Sequence, residues 1–230
     1  VGRVAGQEFA EPETMSTSTS LAARAPGSSP KQEAIFEAAT KVFLADGYGA
    51  ASMDAIAREA GVSKQTIYNR FGSKEALFGA IIRRRCDDLL SPLSPPECGS
   101  GDVKEVLTSL ARKFTTMILS PTSLSLYRVL IGEASHLPQL AAIAYQSGPA
   151  LAAETLASYL SAQSCSGVLE VARPRLAAEQ FFGMLAGQKQ LRALLGLSDE
   201  FSDDHVEDAI DTAVASFLRA HRTDSERRRD

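Results

Sequence analysis

The chain has little cysteine, little histidine and no long apolar run, and each shortage closes off a class of function. Cys86, Cys98 and Cys165 show no CxxC spacing and have no histidine pair nearby. That excludes the common zinc frameworks and a disulfide-stapled fold, and the three read as buried or incidental thiols in a reducing compartment. His136, His205 and His221 are scattered, so no metal and no cofactor is expected. No stretch approaches the roughly 18–20 apolar residues that cross a bilayer. The N-terminus lacks the basic start and apolar run of a secretory signal. A soluble, cytoplasmic protein with no membrane partner is expected. Catalytic signatures are missing too: there is no paired Glu-x-x-His, no Cys/His dyad at suggestive spacing and no glycine-rich phosphate loop. Asp203, Asp204, Glu207, Asp208 and Asp211 cluster, but acids at the start of a helix mostly serve its dipole. An enzyme is not expected.

Strand-like alternation of Val, Ile and Thr is also absent. Apolar residues instead recur at three- and four-residue steps, the mark of amphipathic helices. The 230 residues, 44% hydrophobic and 23% charged, therefore predict an all-α protein of about nine helices. Residues 1–29 are rich in Ser, Thr, Ala, Gly and Pro and read as a disordered arm, in which Met15 is a candidate initiator. Ser29, Pro30 and Gln32 open the first helix with a cap, a proline at its first position and a glutamine at its third. Gly47 and Gly49 should stop it. Short helices follow over 52–60 and 63–70, and a longer one starts after Ser73. Prolines and glycines over 91–101 mark a boundary. Beyond it, helices are expected over 102–120, 122–136, 138–161 (broken at Gly148 and Pro149), 173–196 and 203–221. The organisation expected is a 30–90 head, a 102–222 body and a short charged tail, 223–230.

Net charge is −4, which taken alone argues against a nucleic-acid partner. Its distribution says otherwise: nine basic residues face six acidic ones between 30 and 86, and ten face sixteen between 87 and 222. Positive charge is needed only on the face that meets phosphate. The decisive stretch runs from Ser52 to Phe71. Gly61 allows the positive φ that ends one helix and redirects the chain into the next. Ile56, Ala57, Val62, Ile67 and Phe71 are spaced to pack the two short helices together. This is a helix-turn-helix, whose second helix enters the major groove of double-stranded DNA. Ser63 caps that helix and leaves Lys64, Gln65 and Thr66 at its tip. Gln65 suits adenine, Lys64 guanine, and the Thr66 methyl a thymine methyl. Ser52, Tyr68 and Asn69 suit phosphates, and Lys74, just after the Ser73 cap, stands at a further phosphate site.

The segment AREAGVSKQTIYNRFGSKEAL (57–77), within a match over about 31–85, resembles the N-terminal domain of the TetR family of bacterial transcriptional regulators. The Ala-Gly-Val-Ser, Thr-x-Tyr-x-x-Phe and Ser-Lys-Glu segments carry the resemblance. Asn69 stands where many members have Arg or His. The body, with LYRVLIGEA (126–134) and a later Gly-Pro-Ala, resembles the group that regulates efflux and stress genes. The resemblance implies a homodimer, a palindromic operator and a small-molecule effector that releases a repressor from DNA. An activator or an interaction module with the same fold is the alternative. Phe114, Met117, Ile118, Tyr127, Leu130, Tyr145, Phe181, Phe182 and Met184, with Gln188 as a polar anchor, are candidates for an effector pocket. Gly183, Ala186, Gly187, Ala213, Val214, Phe217 and Leu218 are candidates for the dimer interface.

Overall fold

Ser29 opens the first helix by local chemistry: its hydroxyl accepts the Gln32 N–H and Pro30 takes the first helical position, where a missing N–H costs nothing. The computed structural model describes residues 29–93, 102–197 and 203–223. The expected arm, the Met15 start, Cys98 and nearly all of the expected tail lie outside the described residues. The elements are α1 (Pro30–Ala50), α2 (Met53–Ala60), α3 (Lys64–Phe71), α4 (Lys74–Leu90), a 3₁₀ turn (Ser91–Leu93), α5 (Val103–Leu119), α6 (Pro121–Glu133), α7 (Pro138–Tyr145), α8 (Leu151–Cys165), α9 (Pro174–Leu194) and α10 (Asp203–His221). A π-helical turn (Gln146–Ala150) joins α7 to α8 without interruption, so the described residues form nine helical rods and the protein is all-α. Among them no helix is long and apolar enough to cross a membrane.

Two details depart from the sequence reading. Gly47 does leave the helical path, with φ 76° and ψ 164°, but a further turn follows and α1 ends at Ala50. The break expected at Gly148 and Pro149 is absent. Proline removes one backbone N–H and its ring crowds the carbonyl four residues back. A wider π turn absorbs both effects, and the rod continues to Cys165.

Two apolar clusters hold the rods together, and α4 belongs to both. Leu77, Phe78 and Ile81 from its first half join Ile35, Phe43 and Tyr48 of α1, Ile56 of α2 and Ile67 of α3. Phe43, Tyr48 and Phe78 form a ring trio with centroids 5.4–5.6 Å apart. Leu126 of α6 and Leu140 and Ala144 of α7 complete this cluster. Cys86, Leu89 and Leu90 from the second half of α4 join the core of α5, α8, α9 and α10.

That second core corrects the expected dimer face. Ala213, Val214 and Phe217 point inward, each no more than 6% exposed, and the Phe217 ring meets Phe181 at 5.1 Å. Leu218 packs half-buried on the same core. Ala213, Val214 and Phe217 build the body itself and have almost no surface left for a second subunit. Phe181, expected in a pocket, is fully buried there as well.

Where α4 crosses the α7–α8 rod, two glycines allow the approach. A Cβ on Gly79 would lie 2.5 Å from Ile143 Cγ2, and one on Gly148 would lie 2.8 Å from Ile82 Cγ2. Both obstacles are stiff β-branched side chains. Gly132, in exposed α6, has nothing within 4 Å of its Cβ position. Gly132→Ala should therefore raise stability by about 0.5–1 kcal/mol through helix propensity. Gly79→Ala should lower it by ~1 kcal/mol or more, because overpacking outweighs the same propensity gain. Adding Ile143→Ala should recover part of the overpacking loss. Thermal melts of the variants check the opposite signs.

Candidate nucleic-acid interface and cavity

The turn between α2 and α3 is set by Gly61, which sits in the left-handed region at φ 64° and ψ 31°. The N–H of Val62 donates back to the Ala57 carbonyl at 3.0 Å, which closes α2 and sends the chain into α3. Ser52, Ser63 and Ser73 each accept a backbone N–H three residues on, at 3.1 Å. Of the eight residues of α3, Ile67 alone is buried. It fixes the helix on the head and leaves the polar face outward.

On that face lie Lys64, Gln65, Thr66, Tyr68 and Asn69, all exposed. The side chains are already ordered by one another. Lys64 Nζ is 2.7 Å from Asp54 Oδ2 on α2, a pairing that raises the lysine pKa. Gln65 Nε2 donates to Asn69 Oδ1 at 2.6 Å. The Thr66 hydroxyl is 2.8 Å from Ser63 Oγ, so the cap holds its oxygen. Tyr68 is 39% exposed, its ring 5.9 Å from Lys64 Nζ. Exposed pairs of this kind are weak, being screened by solvent, and are readily exchanged for contacts to a ligand.

Lys74 requires a correction. Its ammonium turns inward and donates to the carbonyls of Tyr48 at 2.7 Å, Ala51 at 2.9 Å and Gly49 at 3.3 Å. It also lies 4.5 Å from the Tyr48 ring centroid. These are orphan carbonyls at the end of α1, where a cation is favoured. The side chain is a strut between α1 and α4 and does not reach outward to a phosphate. Burial, with Glu75 and Glu133 nearby, pushes the Tyr48 phenol up. A second strut comes from Glu133 at the end of α6, whose Oε1 accepts the Gly49 N–H at 3.2 Å.

Beneath the head, α4, α5, α6, the π turn, α8 and α9 enclose a cavity of about 350 Å³. That volume suits a small organic ligand. Of the pocket candidates, Phe114, Met117, Ile118, Tyr127, Leu130, Tyr145 and Phe182 line it. Phe181, Met184 and Gln188 do not. Met184 is 46% exposed on the outer side of α9, Gln188 is exposed too, and Gln190 lines the cavity instead. Gly183 and Ala186, expected between subunits, also face the cavity. Gly187, at φ 37°, is an exposed kink in α9.

The sequence reading overlooked the α4 wall: Ile82, Arg85, Cys86 and Leu89. Their spacing is a helical stripe, and Arg85 falls four residues from both Ile81 and Leu89, an apolar position carrying a cation. That was the available signal. Burial pushes the Cys86 thiol up to about 11, so it stays protonated and unreactive at neutral pH.

Family comparison agrees with this geometry. Residues 35–81 match the model described as bacterial regulatory proteins, tetR family. Residues 105–223 match the C-terminal domain of AefR-like transcriptional repressors. The chain belongs to the TetR family of bacterial transcriptional regulators. Among solved structures, a TetR-family regulator from Mesorhizobium loti is 30% identical, covering 84% of this chain and 97% of that one, with a TM-score of 0.71. The flavonoid-responsive regulator FrrA is 36% identical over 84% of this chain and 98% of its own, with a TM-score of 0.67. The transcriptional activator FasR of Mycolicibacterium smegmatis is 50% identical over 54 residues, 24% of this chain and 25% of FasR. The regulator RutR of Escherichia coli K12 is 42% identical over 65 residues, 28% of this chain and 31% of RutR. This chain thus spans about a quarter to a third of the length of those two relatives.

The inward Lys74 makes a test of its own. Lys74→Met removes three hydrogen bonds from a charged donor and should lower stability by about 1.5–3 kcal/mol, read as a drop in thermal midpoint. Were the side chain an exposed phosphate contact, the midpoint would stay within the roughly ±0.5 kcal/mol of a surface change.

Proposed function

We propose that this chain is a homodimeric repressor that binds a palindromic operator through α3 and leaves it when a small amphipathic ligand enters the cavity. One observation carries the reading: the helix that supports the helix-turn-helix also walls the cavity. Leu77, Phe78 and Ile81 seat α4 in the head, and Ile82, Arg85, Cys86 and Leu89 on the same helix face the cavity. A ligand there favours one setting of α4 over another, and a coupling of only ~1–3 kcal/mol changes operator affinity about 5- to 150-fold. On this reading 30–90 is the DNA-binding head and 102–222 the effector and dimerisation body. Lys64, Gln65 and Thr66 read bases. Ser52, Ser63, Tyr68 and Asn69 hold phosphates, and Lys74 contributes through the α4 N-terminus that its side chain braces. The site of action is cytoplasmic DNA, and no catalytic step is assigned.

The subunits meet, on this reading, along the outer face of α9. Leu176, Met184 and Leu191 of α9 and Leu195 at its cap stand there 42%, 46%, 49% and 65% exposed among the described residues. They take the place of the inward-facing residues of α10. Similarity to AefR-like repressors over the body favours repression. FasR, an activator, is similar over 54 residues, too short a stretch to carry over its sign of regulation, which depends on operator position.

Selection from a random duplex pool tests the reading: an inverted repeat should emerge, with affinity periodic at about 10–10.5 base pairs of half-site spacing. Lys64→Ala, Gln65→Ala and Tyr68→Ala together should abolish that specificity while the melting temperature holds. Enrichment of no sequence, or unchanged binding by the triple variant, would refute it. Leu191→Glu with Leu195→Glu should convert the dimer to a monomer on gel filtration and weaken operator binding with it.

A further inference from the structure

The cavity wall is mostly apolar, with Arg85 and Glu179 its two charged residues. The guanidinium comes from the middle of α4 and lies at the start of α6. One Nη donates to Ser120 Oγ at 2.9 Å and to Ser123 Oγ at 2.7 Å. Its Nε–H is buried and meets no acceptor. Among the described residues Arg85 makes no ion pair. The other charged residue on the wall, Glu179, is held by Arg175 at 2.8 Å. Ser120 caps α6, so the positive end of that helix dipole adds to the guanidinium rather than offsetting it. Desolvation already lowers the Arg85 pKa, with Arg84 adding to the effect. A half-buried cation with no carboxylate within ion-pair distance among the described residues, near only Asp88 in charge, at a helix N-terminus and with an unused N–H, is an incomplete anion site.

We infer that the effector is an acidic amphiphile, its apolar or aromatic body filling the cavity and a carboxylate-type oxyanion paired with Arg85 beside the N-terminus of α6. The body would lie among Phe114, Phe182, Tyr127 and Tyr145, and the anion would meet the Arg85 guanidinium where it lines the cavity. Tyr127 and Tyr145, 40% and 51% exposed, mark the mouth, through which a flexible or flat molecule enters. The inference rests on the cavity being the effector site. It adds the charge that the effector must carry.

The test uses the purified full-length chain and a matched pair of fluorescent probes: anilinonaphthalene sulfonate, and phenylnaphthylamine, the same skeleton without the anion. The sulfonate stands in for the carboxylate. The native chain should bind the sulfonate at least tenfold more tightly than the neutral probe, in keeping with a charge-assisted hydrogen bond. Arg85→Met should erase that preference and leave phenylnaphthylamine binding intact, which also shows that the variant keeps its cavity. Ala186→Phe, placed on the cavity wall, should displace both probes. Decanoate should compete with the sulfonate at least tenfold better than decanol. Equal affinity for the two probes, a preference that survives Arg85→Met, both probes retained by Ala186→Phe, or decanol matching decanoate would each overturn the inference. Binding is read without DNA. If the anion preference holds and operator affinity does not change, the anion site stands and ligand gating falls.

Discussion

The two ends of this molecule are joined most directly by α4, which belongs to both apolar clusters and is pinned where it crosses the α7–α8 rod. The approach is closer than side chains permit, and glycine at 79 and at 148 makes it possible. Close-packed interiors do not deform smoothly, so neighbouring elements shift between discrete arrangements. A helix pinned at such a crossing cannot absorb a disturbance at one end by local slack. On the proposed reading, pressure on Ile82 or Cys86 from the cavity would pass along α4 to Leu77 and Phe78, and so to the seat of α2 and α3. The π turn beside the crossing is part of the device. It carries Gly148 against α4 and turns Pro149 toward the cavity, so the same five residues touch both.

Around that crossing the polar contacts form a second framework, weaker but directional. The last turn of α1 is held from two sides, by Lys74 at the start of α4 and by Glu133 at the end of α6. Glu33 pairs with Arg84, about three-quarters buried on each side, while the Arg84 guanidinium covers the Phe36 ring at 5.7 Å. Such a pair adds little net stability once desolvation is counted, but it fixes the rotation of α1 against α4. Arg70 reaches from α3 to Ser29 and Gln32 at the other end of α1. α1 is therefore clasped at both ends.

The helix-turn-helix was legible because its signals are local. A serine cap, a glycine with positive φ and an isoleucine on the buried side are each decided by a few neighbouring residues, and the structure has all three where the sequence placed them. The number and order of helical rods were legible for the same reason. What periodicity cannot say is which surface an apolar stripe will meet. α10 displays Ala213, Val214 and Phe217 on one face, and nothing in that pattern separates a face turned to its own chain from one turned to a second copy. The fold buries that stripe internally. Lys74 misled in a similar way: a helix N-terminus suggests an anion, but the ends of two helices meet there, and the carbonyls of α1 claimed the charge first. Pro149 read as a break because a π turn leaves no mark beyond the proline itself.

Arg85 sits at the join of these arguments. A leucine or methionine in its place would pack the α4 stripe without the cost of desolvating a cation, so its presence needs an offset. The hydroxyls of Ser120 and Ser123 offset part of it and leave the buried Nε–H without a partner. An anion completing the set would bond to α4 directly and lie against the first turn of α6. It would thereby draw together the two helices whose far ends, through Lys74 and Glu133, clasp α1. A neutral molecule of the same shape fills the apolar space but exerts no such pull. Under this assignment the apolar walls set how tightly a ligand is held, and the charge at the α4–α6 end sets whether the head registers it.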